Sequence, residues 1–134
     1  MARSEHLPIY KETYDLCLYL EQVVQHFSRY HKYTLGTDLR DGARRALRLV
    51  VRANGRRDKV PVLFELREEL EALKVLLRLG QDLKAFANFN SFEHAIILVV
   101  EIARQNEGWL KSQRRGLGPN RRAMPPGLAA PSAP

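Results

Sequence analysis

Leucine returns at Leu63, Leu66, Leu70, Leu73, Leu76, Leu77 and Leu83, a three-and-four spacing close to a heptad. On an α-helix those positions share one face, and an apolar face of that length has to be covered by other helices. Three further segments keep the same rhythm. Residues 7–30 carry Ile9, Leu16, Leu20, Val23, Val24 and Phe27; the stretch after Thr34 carries Leu35, Leu39, Ala43, Ala46, Leu47, Val50 and Ala53. The last runs through Phe92, Ile96, Val99, Ile102, Ala103, Trp109 and Leu110. No segment alternates with the period of two that a half-buried strand needs.

Local signals punctuate these four helices. Pro8 suits a first turn, where its missing N–H would have had no intrahelical partner. Asn54-Gly55 predicts a stop, because both residues tolerate the left-handed conformation that closes many helices. Asp58 is expected to cap the third helix, with Pro61 in its first turn and an end near Phe86. Asn88 to Ser91 offer caps for the fourth, which is expected to end near Ser112. Helices of roughly 20 to 26 residues, about 30 to 40 Å long, are thus joined by connections of a few residues, which makes successive helices antiparallel neighbours. The expected fold is all-α, an up-down-up-down four-helix bundle over residues 1–114. Residues 115–134, RGLGPNRRAMPPGLAAPSAP, hold five of the seven prolines and no apolar periodicity, the pattern of a disordered basic tail rich in Pro, Gly and Ala.

Charge is unevenly spread. Lys and Arg total 22 against 15 Asp and Glu, a formal net charge of +7, and such a balance speaks to partners rather than to fold. Most of the excess lies in residues 40–59, where Arg40, Arg44, Arg45, Arg48, Arg52, Arg56, Arg57 and Lys59 face only Asp41 and Asp58. Arginines one every four residues form a slowly winding ridge about 24 Å long. Such a ridge is either a solvated helix face or a surface for an anionic partner. Like charges at i,i+4 repel by a few tenths of a kcal/mol per pair, and solvated faces usually mix signs to avoid that. Arginine rather than lysine favours phosphate or carboxylate, which the planar guanidinium grips with two parallel bonds. The acidic run Glu65, Glu68, Glu69 and Glu71 leaves a third possibility, that the row is neutralised within the subunit or across a subunit contact. Lys32, flanked by His31 and Tyr33 in the first connection, marks a second exposed basic position.

Other chemistry finds little footing. The four histidines, His6, His26, His31 and His94, lack the Glu-x-x-His spacing of a di-metal bundle, and no His or Cys pair has zinc-ligand spacing. There is no phosphate-binding glycine loop and no nucleophile elbow, so neither enzyme nor cofactor is expected. The lone Cys17 forms no internal disulfide and falls on an apolar face, which makes it a buried thiol in a protein of the cytoplasm. No segment approaches the about 18 uninterrupted apolar residues of a membrane span. A membrane-surface role is disfavoured because the apolar stripe of the basic helix is needed for the core. The tyrosines Tyr10, Tyr14, Tyr19, Tyr30 and Tyr33 at helical spacing are expected to pack rather than to stack on bases.

Four stretches together, LPIYKETYDL (7–16), FSRYHKYTLGTDLRD (27–41), VRAN (51–54) and GWLKS (108–112), resemble a four-helix-bundle family. That family includes proteins encoded in ribosomal RNA intervening sequences and the accessory variability determinant of diversity-generating retroelements, the latter being the nearer likeness. The resemblance covers about residues 7–112. It implies a homopentameric barrel with a basic surface that binds the retroelement's reverse transcriptase and its RNA template during mutagenic cDNA synthesis. On that reading RNA or DNA is held by its backbone, and Lys32, Arg40, Arg44, Arg45, Arg48, Arg52, Arg56 and Arg57 are the candidate contacts. An intervening-sequence type of bundle, with a structural or ribosomal-RNA-associated role, is the alternative.

Overall fold

The computed structural model describes residues 4–117, and the expected tail from Gly118 onward lies outside the described residues. A 3-10 turn at Ser4–His6 leads into α1 (Pro8–Gln25); a one-turn helix α2 (Arg29–Lys32) follows, then α3 (Leu35–Gly55), α4 (Val60–Asp82) and α5 (Phe89–Leu117). The four long helices close a ring of contacts, α1 against α3, α3 against α4, α4 against α5 and α5 back against α1. The described residues contain no strand, and the chain is all-α.

The apolar stripes meet inside that ring. Leu16, Leu20, Leu39, Leu63, Leu66, Leu70, Leu73, Leu77, Val99 and Ile102 are fully enclosed, each contributing roughly 1.5–3 kcal/mol by its removal from water. Thr13 and Asn106 are the buried polar side chains of the described core. Thr13 donates its hydroxyl to the Ile9 carbonyl at 2.7 Å, and Asn106 reaches from α5 to the Leu63 carbonyl of α4 at 3.0 Å. The Asn106 bond joins two helices forty-three positions apart in sequence and pins the register of α5 on α4. α3 also approaches α4 closely, since a Cβ at Gly42 would stand 2.8 Å from Leu73 Cδ2.

Several expectations are corrected. The first helix does not run to residue 30: it ends at Gln25, and the chain bends so that Phe27 remains buried before α2 begins. Asp58 does not cap α4; Lys59 occupies that position and makes no side-chain cap bond. The Lys59 ammonium instead turns back to α3, donating to the carbonyls of Ala53, Asn54 and Arg56 at 3.0, 3.3 and 2.6 Å. It is this cation, and no left-handed glycine, that closes the C-terminus of α3. α4 stops at Asp82, four residues before Phe86, because Lys84 adopts a left-handed φ of 60° and the Ala85 amide bonds the Gly80 carbonyl. That turn folds Phe86 into the core, edge-on to Phe27 and Phe92. Asn88 does cap α5, accepting the Ser91 amide at 2.8 Å. α5 itself continues past Ser112 to Leu117, so the first three residues assigned to the tail are helical.

Candidate nucleic-acid interface

α3 turns Leu39, Ala43, Ala46, Val50 and Ala53 inward, and its arginines are left on the flanks that adjoin α1 and α4. Those neighbouring helices carry acids at the matching heights. Glu21 of α1 stands against two arginines, Arg44 in a short contact and Arg40 at 3.7 Å, while Arg44 also reaches Asp41 at 3.6 Å. Arg40 is half-buried and bonds the Thr37 hydroxyl. On the other flank Glu69 of α4 takes Arg45 through both oxygens, at 3.1 and 3.2 Å, and Glu65 takes Arg52 at 3.4 Å. The twofold bond to Glu69 raises the Arg45 pKa above its ordinary value.

Arg48 lies between these pairs with no ion pair of its own among the described residues. It lines an open groove of about 410 Å³ between α3 and α4, floored by Leu49 and Ala72. Within that groove Arg45, Arg48 and Arg52 face Glu65, Glu68 and Glu69, so its formal charge is zero. The possibility that the acidic run lies beside the row in the same subunit is the one observed for Arg45 and Arg52. The remaining acid of that run, Glu71, pairs with Lys74 at 2.8 Å.

The other candidates are placed differently. Arg56 and Arg57 follow the end of α3, are exposed, and have no ion pair among the described residues. Lys32 is half-buried and precedes α3, so about 30 Å of helix separates it from Arg56. Beside Lys32, Tyr30 and Tyr33 are strongly exposed. The eight sequence candidates therefore form no single surface: four are paired, one sits in a neutral groove, two are open at one end of the bundle, and one lies at the other. Glu21 escaped sequence reasoning because periodicity places it on a helix but says nothing of which neighbour it meets.

Cys17 packs against the core beside this flank, and burial pushes its thiol up to about 11, an effect that Arg44 partly offsets and Glu21 slightly reinforces. At pH 8 the folded protein is thus expected to react with iodoacetamide on the order of 100-fold more slowly than the urea-unfolded chain, whose thiol ionises near its usual value. Mass-spectrometric alkylation rates measure this directly; equal rates would show that the thiol is open to solvent.

Among the described residues no group of three or more His, Cys, Asp and Glu gathers as metal ligands would, and no helix is long and apolar enough to cross a membrane. The sequence model of a family described as bAvd-like matches residues 7–113, a span that holds all four long helices but the last turn of α5. No curated protein matches the chain.

Proposed function

The chain belongs to the bAvd-like family, and from that membership we propose that it is a non-enzymatic accessory protein of a diversity-generating retroelement. In this reading it acts in the cytoplasm as a homo-oligomer, a ring of five subunits, that binds the element's reverse transcriptase. It also binds template RNA or cDNA through the backbone and so supports mutagenic cDNA synthesis. The observation that carries the reading is the family match over essentially the whole bundle. Two features of the molecule support it. The net charge of +7 suits a polyanionic partner, whose phosphates are recognised without base-reading machinery. Exposed apolar side chains on all four long helices, among them Leu18, Val51, Val75 and Ile97, suit contacts between subunits.

Binding of fluorescent single-stranded RNA across a salt series tests the nucleic-acid half. Each neutralised phosphate contributes about 0.7 to the log-log slope for a single strand, so three contacts predict a roughly 20-fold loss of affinity between 50 and 200 mM salt. A slope near zero would remove nucleic acid from the reading. Co-purification of the tagged protein with its co-expressed reverse transcriptase tests the other half.

A further inference from the structure

Ion pairing divides the basic residues into those whose charge is already compensated and those whose charge is open. Among the described residues Arg48 is open along the ridge, Arg29, Lys32, Arg78 and Lys84 towards one end of the bundle, where Asp38, Asp82 and Glu93 also stand, and Arg56, Arg57, Lys111 and Arg114 at the other. This second end is where α3 finishes, α4 begins and α5 passes out. Arg56 and Arg57 stand in the connection between α3 and α4, exposed and without an ion pair among the described residues. α5 reaches the same level: its Asn106 bonds the Leu63 carbonyl, one turn into α4, so Lys111 and Arg114 lie beyond it, towards the connection. Both are exposed. The Arg114 guanidinium lies 5.4 Å from the centre of the Phe64 ring, and Arg67 covers the same ring at 4.8 Å. Arg67 is held by Glu107 through two bonds of 2.8 and 2.7 Å, and Arg114 feels the same carboxylate only at longer range, with no ion pair of its own among the described residues. With Lys59, five cations meet Asp58 and Glu5 of the nearby 3-10 turn, a net of +3, whereas the groove along the ridge has none. The chain also leaves the described structure from this end, and the sequence from residue 115 onward adds Arg115, Arg121 and Arg122 with no acidic residue.

We infer that the phosphate-binding surface is this end of the bundle, Arg56, Arg57, Lys111 and Arg114, and not the arginine ridge of α3. The inference rests on the nucleic-acid half of the proposed function and assigns its place. The physical reason is competition. A phosphate approaching Arg45 or Arg52 must displace a carboxylate already bonded to it, exchanging one charge-assisted bond for another with little net gain. At Arg56 or Lys111 it displaces only water and counterions, and their release drives binding.

Two variants separate the surfaces: Arg56→Ala, Arg57→Ala, Lys111→Ala and Arg114→Ala in one chain, Arg44→Ala, Arg45→Ala and Arg52→Ala in the other. Affinity for a 20-nucleotide RNA is measured for both across the salt series, after circular dichroism confirms equal helicity. Each lost phosphate contact is worth about 5-fold in affinity at 0.1 M salt for a single strand, so losing two or more predicts a drop of roughly 25-fold or greater and a slope lower by about 1.4. The ridge variant is expected to stay within about threefold of the unaltered protein. A ridge variant that loses binding while the end variant keeps it would overturn the inference and leave the proposed function standing. An unaltered protein that binds no RNA would remove both. Should the fourfold variant fold poorly, the pair Arg56→Gln and Arg57→Gln, which removes the charge but keeps a polar side chain, reads the same slope. A slope unchanged in that pair overturns the assignment.

Discussion

Gly36→Ala is expected to destabilise the bundle by about 1 kcal/mol, and Gly108→Ala, the same substitution on α5, to stabilise it by about 1 kcal/mol. Removing a glycine from a helix restricts the unfolded chain and gains helix propensity, a benefit of up to about 1 kcal/mol that both sites share. They differ in what a methyl group meets. At Gly108 nothing stands within 4 Å of the added Cβ, so the propensity gain is the whole effect. At Gly36 the Cβ would stand 2.5 Å from Val24 Cγ1 and 3.3 Å from the His31 carbonyl oxygen. Val24 is fully enclosed in α1, its β-branched side chain has one strongly preferred rotamer in a helix, and the carbonyl is backbone. Neither gives way cheaply, so α1 and α3 must part, and overpacking of this kind typically costs 1–3 kcal/mol. Urea unfolding of the two variants against the parent measures both signs. A stabilised Gly36→Ala would mean that α1 and α3 do not approach as closely as described here.

The same glycine shows how far the sequence could be read. Gly36 belongs to the HKYTLG stretch by which the family likeness is legible, but only the packing of α1 on α3 shows why a side chain is unwelcome there. Periodicity was enough for the four long helices and most of the core: Leu35, Leu39, Ala43, Ala46, Val50 and Ala53 are all buried, whereas Leu47, placed on the same stripe, is only half-buried and Leu49 is buried instead. Heptad spacing carried one residue too far at Leu83, which is 46% exposed because α4 ends one residue earlier. The ends of helices were harder, since they depend on long-range donors and backbone turns. Lys59 closing α3 and Lys84 turning the chain after α4 are choices that local propensity does not dictate. The arginine row was the least legible feature. Its spacing is plain in sequence, yet whether those charges are open depends on Glu21 and Glu69 arriving from other helices at the right height, and that is fixed only by how the bundle closes.

On the proposed ring of 15.4 kDa subunits, replacing Val75 and Leu79 of α4 by Glu, or Ile97 of α5 by Glu, is expected to yield folded monomers. In the isolated bundle Val75 and Ile97 are 66% and 57% exposed, and Leu79 lies one turn beyond Val75. A glutamate at such a position touches no core side chain, and its cost to the fold of one subunit stays within about 0.5 kcal/mol. Within a subunit contact the same carboxylate loses its water without a partner, a penalty of several kcal/mol per contact. In a closed ring every subunit uses the contact twice, once on each side, so the penalty recurs at every joint. Light scattering after size exclusion reads the mass, and circular dichroism shows whether the helices persist. A fall from about five subunits to one with unchanged helicity places these residues in the joints. An unchanged mass in both variants would exclude these α4 and α5 faces from the contact, leaving Tyr14 and Leu18 on α1 and Val51 on α3 as the exposed apolar side chains of the other long helices through which a ring could form. Because Arg45 and Arg52 are already paired within their own subunit, variants at these two positions should leave the mass untouched, which distinguishes assembly through apolar surface from assembly through charge.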